Sequence, residues 1–102
     1  MIEDEVISEH YYTARHGRDG ALAAGEYVGR ERPEDGDADL VELGLITHCV
    51  LILQNGFKVT GESACVDPGN FDAEIGCKIA RENAIQKIWP LLGYALKTKL
   101  NG

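Results

Sequence analysis

A chain of 102 residues with 17 acidic and 10 basic side chains, a net charge of −7 and 44% hydrophobic residues has the composition of one ordinary domain and lacks the length for a second core. Its longest apolar run, Cys49 to Leu53, falls far short of the roughly 20 residues of a membrane span, and the opening Met1-Ile2-Glu3-Asp4-Glu5 is acidic where a secretory leader is basic. A cytoplasmic location is expected, and the acid excess argues against nucleic acid or an anionic membrane as partner.

The charge is unevenly spread. Residues 1–44 hold twelve acids and four bases, whereas 45–102 hold five acids and six bases. The expected organisation is an acidic, Gly-rich N-terminal arm over 1–44 and a compact α+β core over 45–102, together one domain. Ile2, Val6 and His10 at a spacing of four suit a short helix, and His10-Tyr11-Tyr12-Thr13 suits a strand; the segment reads as a short helix running into an extended aromatic stretch, which adds a third strand to the sheet. From Gly17 to Gly44, six glycines, Pro33 and the charged run Arg30 to Asp39 predict a loop or a partly disordered arm.

Two strands follow, about 45–53 and 57–66, with Asn55-Gly56 between them. Asn-Gly tolerates the positive φ of a two-residue hairpin turn. Such a turn pairs Ile52 with Val59, Val50 with Gly61, His48 with Ser63 and Ile46 with Cys65 on one face. Leu53 then faces Lys58, Leu51 faces Thr60 and Cys49 faces Glu62 on the other. Cys49 and Cys65 would point to opposite faces, and with Cys77 unpaired and no C-x-x-C spacing, reduced thiols are expected.

Asp67 suits a helix cap with Pro68 at the first helical position, so a long helix is predicted over about 68–88. Ala73, Cys77, Ala80, Ala84 and Ile88 form a stripe of mostly small side chains that permits close approach to the sheet, with Gly61 and Ser63 leaving room for it. Pro90 ends or kinks this helix, and a shorter one is expected over about 91–99. The predicted fold is α+β: an antiparallel hairpin packed against a long helix, followed by a shorter C-terminal helix. Leu51 and Leu53 on the second sheet face, with Phe71, Ile75 and Ile79 on another helix face, exceed what one hairpin and one helix can cover. They are the candidate interface residues for self-association, as a homodimer or larger assembly.

Cys49-Val50-Leu51, Asn55-Gly56-Phe57, Val59-Thr60-Gly61-Glu62-Ser63-Ala64-Cys65, Asn70-Phe71-Asp72, Glu74-Ile75-Gly76, Lys78-Ile79-Ala80, Asn83-Ala84, Trp89 and Gly93-Tyr94 together resemble the small bacteriophage proteins grouped as the gene 49 / gene 66 family. The resemblance covers about residues 45–97, and Ile7-Ser8-Glu9-His10-Tyr11-Tyr12-Thr13-Ala14 looks like the opening of longer members. It implies a phage or prophage origin, hence the bacterial host's cytoplasm, and carries no catalytic residues across. Cys77 stands where the resemblance leads one to expect a basic side chain, which weakens any anion-binding role of that helical face.

The chemistry-bearing residues point away from catalysis. Ser63 beside His48 resembles a nucleophile and its base, but no third group orients the imidazole and no Gly-x-Ser-x-Gly turn is present; a structural role is expected. Glu62 opposite Cys49 would need Asp72, Glu74 and Glu82 to converge with it, but these three point in different directions on the helical wheel, and nothing in the spacing of His10, His16 and Cys49 supports a site, so no metal or other cofactor is expected. Arg81, Asn83 and Trp89 are the candidate ligand-binding residues. The expectation is a non-enzymatic phage accessory protein that binds a host protein, in host takeover or counter-defence. The alternative is a small-ligand or nucleotide binder with its pocket at a homo-oligomer junction.

Overall fold

The computed structural model describes residues 2–26, 29 and 36–101. A short helix α1 (Ile2–Glu5) leads into strand β1 (Val6–Thr13), then α2 (Ala14–Ala23), α3 (Gly36–Leu43), β2 (Ile46–Leu53), β3 (Lys58–Ala64), a 3₁₀ turn (Pro68–Asn70), α4 (Ala73–Gln86) and α5 (Ile88–Asn101). The strands form one antiparallel sheet in the order β1-β2-β3. The fold is α+β, and the third strand is N-terminal.

Two helices lie where a loop was predicted between Gly17 and Gly44. Thr13 closes β1 and opens α2: its hydroxyl accepts from His16 N–H at 3.1 Å, and its own N–H donates to His16 Nδ1 at 3.1 Å. That is a reciprocal capping box with histidine in the place usually held by Glu or Gln. Most of the charged run from Arg30 to Asp39 lies outside the described residues.

The hairpin register differs from the predicted one by one residue. Leu53 N–H donates to Phe57 O and Gly56 N–H to Leu53 O, both at 2.8 Å, and Gly56 has φ +85°. The loop is therefore three residues, Gln54-Asn55-Gly56, with glycine supplying the left-handed position that closes it. Cys49 faces Gly61, Leu51 faces Val59, Thr47 faces Ser63 and His48 faces Glu62. One residue of slip moves β2 through half a pleat relative to β3. Thr47, Cys49, Leu51 and Leu53 thus share a face with Val59, Gly61 and Ser63. The thiols of Cys49, Cys65 and Cys77 are free.

Helix α4 starts five residues later than predicted. Asp67 caps only the 3₁₀ turn, accepting from Gly69 N–H at 2.9 Å, and Asp72 caps α4, accepting from Glu74 N–H at 2.9 Å and Ile75 N–H at 3.3 Å. The helix stops at Gln86, one turn before Pro90, because a proline ring clashes with the carbonyl four residues upstream. Pro90 then sits in the first turn of α5, where no backbone donor is required.

The small-residue stripe docks through its later members, whereas Ala73 is exposed and Cys77 half-buried. Ala80, Ala84 and Ile88 are fully buried against Cys49, Leu51, Leu53 and Val59. Gly61 brings the two backbones together: a Cβ there would collide with Ala80 O and Ala84 N and stand 2.9 Å from Ala84 Cα. The opposite sheet face carries His48, which lies 5.3 Å, centroid to centroid, from the Tyr12 ring. Helix α2 comes close to that ring at Gly17.

Candidate functional site

The contact at Gly61 sets α4 over β2 and β3, so the helix-side face of β1 is left without a helix above it. Val6, Glu9, Tyr11 and Thr13 occupy that face, since they pair with Leu53, Leu51, Cys49 and Thr47. Arg81 of α4 covers one end. Its Nη2 lies 2.6 Å from Glu3 Oε1, its Nη1 3.2 Å from Glu3 Oε2 and its Nε 3.1 Å from Glu9 Oε2. Glu9 also accepts from Tyr11 O–H at 2.7 Å. One guanidinium thereby ties α1 and β1 to α4.

These contacts displace the titrations they touch. The hydrogen bond from Arg81 holds the Glu3 carboxyl below its ordinary value despite the opposing effect of desolvation, and the same bond raises Arg81. Burial raises the Tyr11 phenol, reinforced by its bond to Glu9. Burial also raises the Cys49 thiol, which keeps it in the unreactive protonated form.

The other end of β1 is open. A cavity of about 340 Å³ lies between it, the first turn of α2 and the start of α4, lined by Tyr11, Tyr12, Thr13, Arg15, His16, Gly44, Thr47, Phe71, Ala73 and Cys77. Its wall includes Thr47, 3% exposed, whose hydroxyl is packed against Gly76 of α4 and has no hydrogen-bond partner among the described residues. Such orphans are uncommon in folded proteins. A second, shallower cavity of about 180 Å³ lies where Phe71, Ile75 and Ile79 meet the end of β3.

The predicted site residues are dispersed. Arg81 reaches towards β1, whereas Asn83 Nδ2 donates to Glu62 O of β3 at 2.8 Å, so these two side chains serve opposite edges of the sheet. Trp89 is on α5 and 57% exposed. Neither of the two cavities described above includes any of the three. Ser63 and His48 fall on opposite faces, and Ser63 Oγ donates to Gly76 O at 2.8 Å. The expected interface set is also divided: Leu51 and Leu53 are core residues beneath α4, because the register turns them inward, whereas Ile75 and Ile79 are exposed and Phe71 is half-buried. Among the described residues, no three His, Cys, Asp or Glu side chains converge as a metal site requires.

Helix α5 carries several large apolar side chains on the surface. Only Ile88 and Leu92 at its start pack on the core, while Leu91, Tyr94, Leu96 and Leu100 join Trp89 on the surface. At 100° per residue, Trp89, Leu92, Leu96 and Leu100 fall within about 80° of one another.

A family model described as phage protein (N4 Gp49/phage Sf6 gene 66) matches residues 1–100. The chain belongs to that family. Membership extends over the N-terminal segment as well as the hairpin and helices, in keeping with β1 being a strand of the same sheet. No curated protein and no solved structure matches the chain. Among the described residues no helix is long and apolar enough to cross a membrane.

Proposed function

We propose that this phage-family protein acts by docking and not by catalysis, that it self-associates through α5, and that the assembly binds a host protein. The observation carrying this reading is the apolar stripe on α5, anchored to the core at Leu92 and uncovered at Trp89, Leu96 and Leu100. Trp89, Leu92, Leu96 and Leu100 recur at spacings of three and four, the pattern by which two helices interdigitate along a seam. The helix's 14 residues span about 21 Å, and a second copy laid along them would remove three large exposed side chains from water. Ile75 and Ile79 extend the available apolar surface onto α4.

Light scattering after size exclusion tests the assembly. The wild type is expected at an integer multiple of the chain mass, and a Leu96→Asp/Leu100→Asp variant at the monomer mass with an unchanged far-UV spectrum. A wild type that stays monomeric at high micromolar concentration would refute the self-association. Capture from host lysate with wild type and variant side by side tests the host target: a saturable host protein retained by the wild type alone supports it, and equal recovery by both detaches binding from α5.

A further inference from the structure

We propose that the cavity between β1, α2 and α4 is a binding site for a small aromatic compound bearing one anionic group. This stands apart from the docking reading, since the cavity lies at the far end of α4 from α5. Two features specify the ligand, the size and wall of the cavity and the charge of its lining. Its volume, about 340 Å³, is at the lower end of small-molecule sites, and Tyr11, Phe71 and Ala73 supply an apolar, partly aromatic wall for a ring.

The charge follows from the lining. Among the described residues no carboxylate lines the cavity, whereas Arg15 and His16 do. Arg15 makes a loose contact to Asp19 at 3.6 Å, with both side chains about half exposed, which an incoming anion can replace. His16 Nδ1 accepts from Thr13 N–H, so the neutral ring carries its proton on Nε2 and offers a donor there. The anion is thus recognised from α2, not from the helical face that bears Cys77.

Thr47 closes the cavity floor; its hydroxyl is packed against Gly76 of α4 and takes no part in the recognition.

The test is titration of the full-length protein, followed by amide chemical shifts, with three probes: naphthoate, naphthyl phosphate and the neutral naphthamide. Saturable shifts are expected at Thr47, Ala73 and Cys77 with one or both acids at up to about 1 mM, and the tighter acid identifies the headgroup. Arg15→Gln, an exposed change that leaves the fold intact, is expected to weaken the acids about fivefold or more and to leave naphthamide unaffected. Ala73→Leu, at an exposed position of the cavity wall, is a second, independent variant that narrows the cavity and should weaken the acids and the amide alike. No saturable shift with any probe overturns the proposal. Equal weakening of acid and amide by Arg15→Gln overturns the anionic assignment, and shifts confined to α5 overturn the location.

Discussion

Replacing Gly61 by alanine tests how α4 is held on the sheet. The added Cβ would collide with Ala80 O and Ala84 N and come within 2.9 Å of Ala84 Cα, where carbon atoms prefer about 3.5–4.0 Å. All three are main-chain atoms and no rotamer change relieves them, so the helix must rise by about 1 Å. A gap of that size forfeits a quarter to a half of each dispersion contact beneath it, and the contacts at stake are those of the fully buried Ala80, Ala84 and Ile88. Overpacking of this kind costs about 1–3 kcal/mol, and the rigid neighbours place Gly61→Ala at about 3 kcal/mol. For a domain of this size that corresponds to a fall in Tm of roughly 12–24 °C. Thermal and urea denaturation followed by far-UV circular dichroism measure it. Adding Ala84→Gly should give no rescue, because the colliding atoms remain. A Gly61→Ala protein melting within about 2 °C of wild type, or a full rescue by Ala84→Gly, would refute the backbone-contact argument.

Three further outcomes are expected. Thr47→Val removes a buried hydroxyl without a partner and should raise the urea midpoint, with a gain of about 1 kcal/mol; a loss of stability would reveal a hydrogen bond there. Arg81→Ala should release α1 and β1, read as lost amide protection over residues 2–13 while α4 stays protected. Because the Arg81 hydrogen bond holds the Glu3 carboxyl below its ordinary value in the folded state, the anchoring it provides is present above that ordinary value and lost as pH falls through the lowered one; wild-type protection of β1 should drop in that acidic window and the Arg81→Ala protein should show no such step. At neutral pH a thiol reagent should modify the half-buried Cys65 and Cys77 well before Cys49, which is fully buried and raised by that burial; rapid modification of Cys49 in the native state would contradict its placement.

Local pattern was enough for the elements that local physics decides. The Asn55-Gly56 turn, the apolar runs on either side, the small-residue stripe ending at Ile88 and the break ahead of Pro90 were legible because each depends on residues within one or two turns of one another. The α+β class follows from them. Helix α2 was hidden by its glycines and by a cap in which His16 replaces the usual Glu or Gln. Asp67 and Asp72 offer the same capping chemistry within five residues, so the start of α4 was ambiguous from sequence.

The hairpin register and the lateral seat of α4 were beyond the sequence. Asn55-Gly56 accommodates either a two-residue or a three-residue loop, and Leu45 to Leu53 is apolar on both faces, so alternation does not choose between them. The choice is made by fit: with Leu51 opposite Val59 and Cys49 opposite Gly61, the sheet offers Ala80, Ala84 and Ile88 a smooth surface on which the helix backbone can rest. That one-residue difference separates His48 from Ser63 and buries Leu51 and Leu53. It also seats α4 over β2 and β3, leaving β1 to Arg81 at one end and to an open cavity at the other. A chain's own pattern specifies which segments pair and pack, whereas where a helix lands across a sheet depends on contacts between residues far apart in sequence, and here that landing creates the candidate site.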